Sequence, residues 1–289
     1  MASPPLFIAE ASSNHGRDLG RALGFVDAAA DAGADAVKFQ LFRIERMFAP
    51  EILSRSAKHR ARREWELPLG HLAPLAERCR ARGIRFSCTP FHLEAVADLE
   101  PFVDFYKIAS YELLVDALLQ ACGRTGKPIV LSTGMARMDE IVRAVDVLRG
   151  AGARDVTLLH CVSAYPTPSQ EANLSAIESI RAATGCAVGW SDHTRRPAVI
   201  ERAVNRWNAA AVEFHLDLDG SGAEYAAGHC WLPREIAPVI AGIREGLGAD
   251  GTGFKGPQPS EAEDRDWRAD PGDGMRPLRH IRAQWVAAA

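Results

Sequence analysis

The run Asp-Leu-Gly-Arg-Ala-Leu-Gly-Phe-Val-Asp-Ala-Ala-Ala-Asp-Ala-Gly-Ala-Asp-Ala-Val-Lys-Phe-Gln-Leu at 18–41 holds one complete unit of the fold. Asp18 is placed to cap a helix that runs through Leu23, Val26 and Ala30 and stops near Gly33, where a glycine relieves the strain of the helix end. Ala36 to Gln40 then reads as a short apolar strand. The same alternation extends in both directions. Strands are expected near Leu6 to Ala9, Ile84 to Cys88, Asp104 to Ile108, Ile129 to Ser132, Val156 to His160, Ala187 to Trp190 and Ala211 to His215. Arg137 to Leu148, Leu174 to Ala183, Ala198 to Trp207 and Pro233 to Leu247 carry helical spacing, with Gly-rich turns after them. Eight strand-helix units predict a (β/α)8 TIM barrel over 1–250, and the Gly-, Pro- and acid-rich composition after it predicts a loosely held tail over 251–289 with no second domain.

Composition narrows the function classes. The chain has 289 residues, 47% hydrophobic and 25% charged, which is ordinary for a globular domain with a sizeable core. A net charge of -3 offers no polycation for nucleic acid and no pull toward an anionic membrane, so a small molecule is the expected partner. The six cysteines are scattered without a Cys-x-x-Cys pair and read as reduced thiols. With no basic-then-apolar leader at Met1 to Phe7, a cytoplasmic enzyme is the expectation.

One insertion breaks the rhythm. Between Phe42 and Pro68 lies a basic stretch with Arg43, Arg46, Arg55, Lys58, His59, Arg60, Arg62 and Arg63, too long for an ordinary strand-to-helix connection. It reads as a solvated helix or mobile loop, or as a lid that draws in an anionic substrate.

Reacting groups of such a barrel project from the C-terminal ends of its strands. Every predicted strand ends on polar residues: Glu10; Lys38 and Gln40; Ser87 and Thr89; Lys107 and Ser110; Ser132 and Thr133; His160 and Ser163; Ser191, Asp192 and His193; Glu213 and His215. Lys38 and Gln40 share one strand face while Val37, Phe39 and Leu41 take the other, so the polar pair should face inward. An inward lysine needs a carboxylate, for which Glu10 is the candidate, or an anionic ligand. Lys107 repeats the argument, and the two lysines with Ser110, Ser132 and Ser191 suit a phosphate; Lys107 could alternatively be a Schiff-base nucleophile. His193 and His215 end neighbouring strands and could share a divalent metal, with Glu213 orienting His215 or completing the shell.

At these residues the chain resembles the sialic acid synthase (N-acetylneuraminate synthase) family. The matching stretches are Ile-Ala-Glu-Ala-Ser-Ser-Asn-His at 8–15, Gly-Ala-Asp-Ala-Val-Lys-Phe-Gln at 33–40, Ser-Cys-Thr-Pro-Phe at 87–91 and Tyr-Lys-Ile-Ala-Ser-Tyr-Glu at 106–112. Gly-Lys-Pro-Ile-Val-Leu-Ser-Thr-Gly-Met at 126–135, Ser-Ala-Tyr-Pro at 163–166 and Gly-Trp-Ser-Asp-His-Thr at 189–194 follow in order. The resemblance implies condensation of phosphoenolpyruvate with a sugar aldehyde, assisted by a divalent metal such as Mn2+ or Mg2+. It implies that Lys38, Lys107, Ser132 and Ser191 hold phosphoenolpyruvate with Glu10 beside the reacting carbons. His193 and His215 would bind the metal, and Gln40, Thr89, Phe91, Glu112 and Tyr165 would contact the acceptor.

Two departures qualify the resemblance. Relatives carry a small C-terminal antifreeze-like domain that reaches the partner subunit's site in a homodimer; no such domain is expected here, which leaves room for a separate protein to complete the acceptor site, while the resemblance still implies a homodimer for this chain. After the eighth strand relatives show Pro-Gly-Pro-Asp-His, whereas this chain has Asp219-Gly-Ser-Gly-Ala-Glu-Tyr and then Gly228-His-Cys-Trp. Glu224 is the candidate replacement for the acidic sugar contact, and His229 is either a third metal ligand or a loop histidine. A Schiff-base aldolase using Lys107 or Lys38, and a sugar-acid-binding barrel without turnover, are the rival readings.

Overall fold

The computed structural model describes residues 4–287, and its centre is a closed barrel of eight parallel strands in chain order. The strands are β1 (Leu6–Ser12), β2 (Ala36–Leu41), β3 (Arg85–Pro90), β4 (Phe105–Ile108), β5 (Ile129–Ser132), β6 (Val156–Cys161), β7 (Ala187–Asp192) and β8 (Ala211–His215). The predicted fold class is the observed one. Several strands run further than the sequence reading placed them: β1 reaches Ser12 because its ladder continues past Glu10, which lies between Lys38 and His215, through a bulge to Phe39. Ala-Glu-Ala-Ser carries no β-branched signal, so pairing rather than propensity sets that end.

The first helix, Leu19–Asp31, is capped by Asp18, whose side chain accepts from the Arg21 amide, and Gly33 follows at φ 85°. Asp35, in the turn between this helix and β2, accepts the Phe7 amide of β1 at 2.8 Å, and Asp104 does the same for Phe86 of β3 at 2.7 Å. The helix expected from Leu174 runs Ala176–Thr184, since Asn173 turns at φ 44° and delays it.

Two apolar layers hold the barrel. Outward side chains such as Phe7, Val37, Phe39, Tyr106 and Val212 pack under the helices. Inside, Ile8, Ala36, Phe105, Val130, Leu159 and Ala211 form a separate buried plug near the strand beginnings. Alternation along each strand then puts the next inward residues, Glu10, Lys38, Lys107, Ser132 and Glu213, one layer above that plug. Gly189 is needed on β7 because a Cβ there would stand 2.2 Å from the Ala211 carbonyl oxygen, which is backbone and cannot yield.

The stretch between β2 and β3 is a chain of short helices, Ile44–Met47, Pro50–Arg55, Ala57–Ala61 and Arg62–Trp65, most of them exposed. The Ile44 amide donates to Glu66 at 2.8 Å, Ser56 caps Ala57–Ala61, and Arg17 donates to the Arg63 carbonyl at 2.9 Å. Its solvated face matches the first expectation for this insertion, while Met47, Phe48, Arg62 and Trp65 face the barrel mouth.

Residues 248–287 form a second, smaller unit. Its helices include Ala262–Asp266 and Arg279–Ala287, with Asp273 paired to Arg282 at 2.8 Å and the Trp267 and Trp285 rings packed edge-on 6.1 Å apart. Among the described residues no helix is long and apolar enough to cross a membrane.

Candidate active site

At the C-terminal end of the strands the barrel opens into a cavity of about 730 Å³. Of the strand-end and loop residues singled out above, it is lined by Glu10, Lys38, Gln40, Thr89, Phe91, Lys107, Ser110, Glu112, Ser132, Tyr165, Ser191, His193, His215 and Glu224, with Glu213 and His229 beside them, but not by Ser87, Thr133, His160, Ser163 or Asp192. These come from all eight strand-to-helix junctions, so closure of the barrel is what assembles them.

The floor carries two buried ion pairs. Lys38 pairs with Glu10 and donates to Thr89 Oγ1 at 3.2 Å, while Gln40 donates to the other Glu10 oxygen at 2.7 Å. Burial works against charge on Lys38, but Glu10 and, further off, Glu213 outweigh it and raise the lysine above its usual pKa. Lys107 Nζ lies 3.2 Å from Glu213 Oε2, and Ser191 donates to the same carboxylate at 3.2 Å. Burial lowers Lys107 despite Glu213, and the nearby Lys38 charge adds to the lowering. Burial would raise Glu213, yet Lys107 and Lys38 together hold it below the usual carboxylate range. Ser132 Oγ is buried in the same cavity without a hydrogen-bond partner.

Beside the lysines the imidazoles gather around one phenol ring. Tyr165 lies 4.2 Å from His193, 5.9 Å from His215 and 5.1 Å from His229, centroid to centroid. His193 Nδ1 meets the Val162 carbonyl at 2.8 Å, and burial, with His215 adjacent, pushes its pKa down to about 3 and keeps it neutral. His215 Nδ1 sits 3.0 Å from Glu224 Oε2; burial would lower this histidine, but the Glu224 carboxylate raises it. Donor atoms of His215, Glu224, His229 and Cys230 all lie within 4.8 Å of one another. Imidazoles beside a carboxylate are a donor set a divalent ion takes, so the residues present fit one, and the His193 ring, outside the four, lies 5.3 Å from that of His215.

The acceptor side is more mixed. Glu112 is raised to about 7, chiefly by burial, and its Oε2 has no partner. Ser110 accepts the Gly134 amide at 3.0 Å, and Phe91 meets Phe42 edge-on at 5.9 Å.

Some sequence expectations move. Glu213 serves Lys107 and Ser191; the carboxylate on His215 is Glu224, which also bonds Ser12 and lies 3.6 Å from His229. Asp192 turns away from the cavity to tie Trp190, Thr194 and Trp231, and His160 turns outward to the Ala172 carbonyl at 3.0 Å. Ser87 donates to the Phe105 carbonyl and Thr133 to that of Leu159. The sequence reading missed Ser12, Phe42, Phe48, Trp65 and Tyr111 as lining residues. For Phe42, Phe48 and Trp65 the signal was aromatic residues clustered in an overlong insertion; Ser12 and Tyr111 lie outside it, at the end of β1 and in the turn after β4.

A sequence model described as the NeuB family matches residues 25–255. The chain belongs to the NeuB family. Among curated relatives of this NeuB-family chain, the N,N'-diacetyllegionaminic acid synthase of Campylobacter jejuni is 36% identical, covering 89% of the chain and 80% of the relative. The spore coat polysaccharide biosynthesis protein SpsE of Bacillus subtilis is 34% identical over 84% of the chain and 68% of its own length. The crystal structure of an N-acetylneuraminic acid (sialic acid) synthetase from Leptospira borgpetersenii superposes with a TM-score of 0.80 at 32% identity, covering 91% of this chain and 90% of that one. The resemblance to sialic acid synthases read from the sequence thus rests on the whole barrel.

Proposed function

We propose that this NeuB-family barrel joins phosphoenolpyruvate to the open-chain aldehyde of a sugar, an N-acylmannosamine-like acceptor, giving a sialic acid-type 2-keto-3-deoxy sugar acid and inorganic phosphate. The observation that carries the reading is the pair of buried lysines, Lys38 and Lys107, in one cavity with the imidazoles of His193 and His215. Enzymes named for products of this type, among the relatives above, support it.

In this reading Lys38, Lys107, Ser132 and Ser191 hold the phosphate and carboxylate of phosphoenolpyruvate. The Ser132 hydroxyl supplies a donor that none of the described residues uses. Glu10 and Glu213 fix the two ammonium groups so that they need not reorganise as charge moves during reaction. His193 and His215 hold a divalent ion, Mn2+ or Mg2+, and Glu224 orients His215 through Nδ1. When bound, the ion would polarise the aldehyde oxygen of the acceptor. Gln40, Thr89, Phe91, Glu112 and Tyr165 line the space left for that acceptor.

The carbon-carbon bond forms between C3 of phosphoenolpyruvate and the aldehyde carbon. Water adds at C2, and the C2–O bond to phosphate then breaks, so phosphate leaves with the bridging oxygen. Glu10, against Lys38 and Gln40, is the carboxylate placed to exchange protons beside the reacting carbons.

Phosphate release tests the proposal: it should require phosphoenolpyruvate, a sugar aldehyde and a divalent ion together, and stop with chelator. Release that persists without the aldehyde or after chelation would reject it.

A further inference from the structure

The lysine and arginine side chains lining the cavity are matched by carboxylates with one exception. Lys38 faces Glu10, Lys107 faces Glu213 and His215 faces Glu224, but no carboxylate among the described residues pairs with Arg62. Arg62 begins the short helix Arg62–Trp65 in the insertion between β2 and β3. Its guanidinium carbon lies 5.4 Å from the Phe48 ring centroid and 5.2 Å from that of Trp65. Phe48 is propped in turn by His59, edge-on at 4.9 Å, and His59 Nδ1 by Ser56 Oγ at 2.7 Å.

Stacking on aromatic faces leaves the in-plane N–H edge of a guanidinium available, and that edge matches two oxygens of a carboxylate or phosphate. One prong of that fork, the Arg62 Nε–H, is buried and has no acceptor among the described residues. The neighbours Arg46 and Arg63 are by contrast paired outward, to Glu94 and Glu45. Arg62 is therefore positioned for a ligand in the cavity rather than for the protein's own surface.

We propose that Arg62, clamped by Phe48 and Trp65, determines acceptor specificity by taking an oxyanion, a phosphate or a carboxylate, at the end of the sugar remote from its aldehyde. The inference rests on the condensation proposed above. The buried lysines lie at the cavity floor and the insertion at its mouth, so an acceptor whose aldehyde reaches the phosphoenolpyruvate site presents its far end to Arg62.

The test uses three probes: N-acetylmannosamine, its 6-phosphate and the corresponding uronic acid. Each is titrated calorimetrically onto the full chain and assayed for phosphate release, in the wild type and in Arg62→Met and Arg62→Lys. The wild type should bind one charged sugar at least about tenfold more tightly than the neutral one, a difference of about 1.4 kcal/mol. The better of the two identifies the oxyanion. Arg62→Met should lose that preference through KM more than kcat, and Arg62→Lys should recover only part of it, because an ammonium lacks the planar fork. Equal affinity of the wild type for all three sugars, or a loss in Arg62→Met that falls equally on neutral and charged sugars, would overturn the assignment. Calorimetry reads binding without turnover, so failure of the condensation reading would show separately, as absent phosphate release.

Discussion

Lys107 on β4 and Glu213 on β8 reach across the barrel interior and meet at 3.2 Å, with both side chains almost wholly buried. A buried charge pair is costly to break from one side, since the remaining partner keeps its desolvation penalty without its counter-charge. Glu213→Gln should therefore destabilise the fold by about 3–5 kcal/mol, measured by urea unfolding, with Lys107 left as an uncompensated ammonium.

Lys107→Ala should lower kcat for phosphate release by about 10²–10³-fold, the usual loss when one fixed donor to a developing negative charge is removed. Borohydride with pyruvate should leave Lys107 unmodified by mass spectrometry. A trapped adduct there would instead favour Schiff-base chemistry, which its burial-lowered pKa would permit.

Glu224 touches His215 at Nδ1. Glu224→Gln should weaken divalent-ion affinity by about 10–100-fold, the range for a residue that orients a ligating imidazole, read by chelator competition. An unchanged affinity would remove Glu224 from that role.

Folding raises the Glu112 carboxyl from 4.5 to about 7, chiefly by burial. Between those values the folded chain binds more protons than the unfolded one, so this group makes stability fall as pH rises through that window. Glu112→Gln cannot ionise and should flatten that part of the curve of Tm against pH. A slope unchanged in the variant would show that Glu112 is not its source.

Gly189→Ala should destabilise by about 1–3 kcal/mol or more, because the added methyl meets the Ala211 backbone, and thermal unfolding would show it.

The barrel was legible because its signals are local: the Asp18 cap, the Gly33 stop and the alternation of Lys38 and Gln40 against Val37, Phe39 and Leu41 each follow from neighbouring residues. The strand-end polar residues were legible for the same reason, since strand parity fixes which side chains turn inward. What stayed hidden depends on distant chain. Whether Glu213 faces Lys107 or His215 is decided by barrel stagger, and Glu224 reaches His215 only because the loop after β8 folds back over it. His160 and Asp192 show the converse: each ends a strand with a polar residue, but their partners Ala172 and Trp231 lie outside the cavity. The insertion's role was ambiguous because exposed arginines look alike in sequence, and only packing on Phe48 and Trp65 sets Arg62 apart.

The apolar plug of Ile8, Phe105, Val130 and Leu159 makes the chamber a blind alley. A molecule destined for the lysines has to pass the same doorway as one destined for the rim, and whichever lodges deeper must arrive first and depart last. Two-substrate kinetics on this chain should accordingly show compulsory order, with the enol phosphate leading.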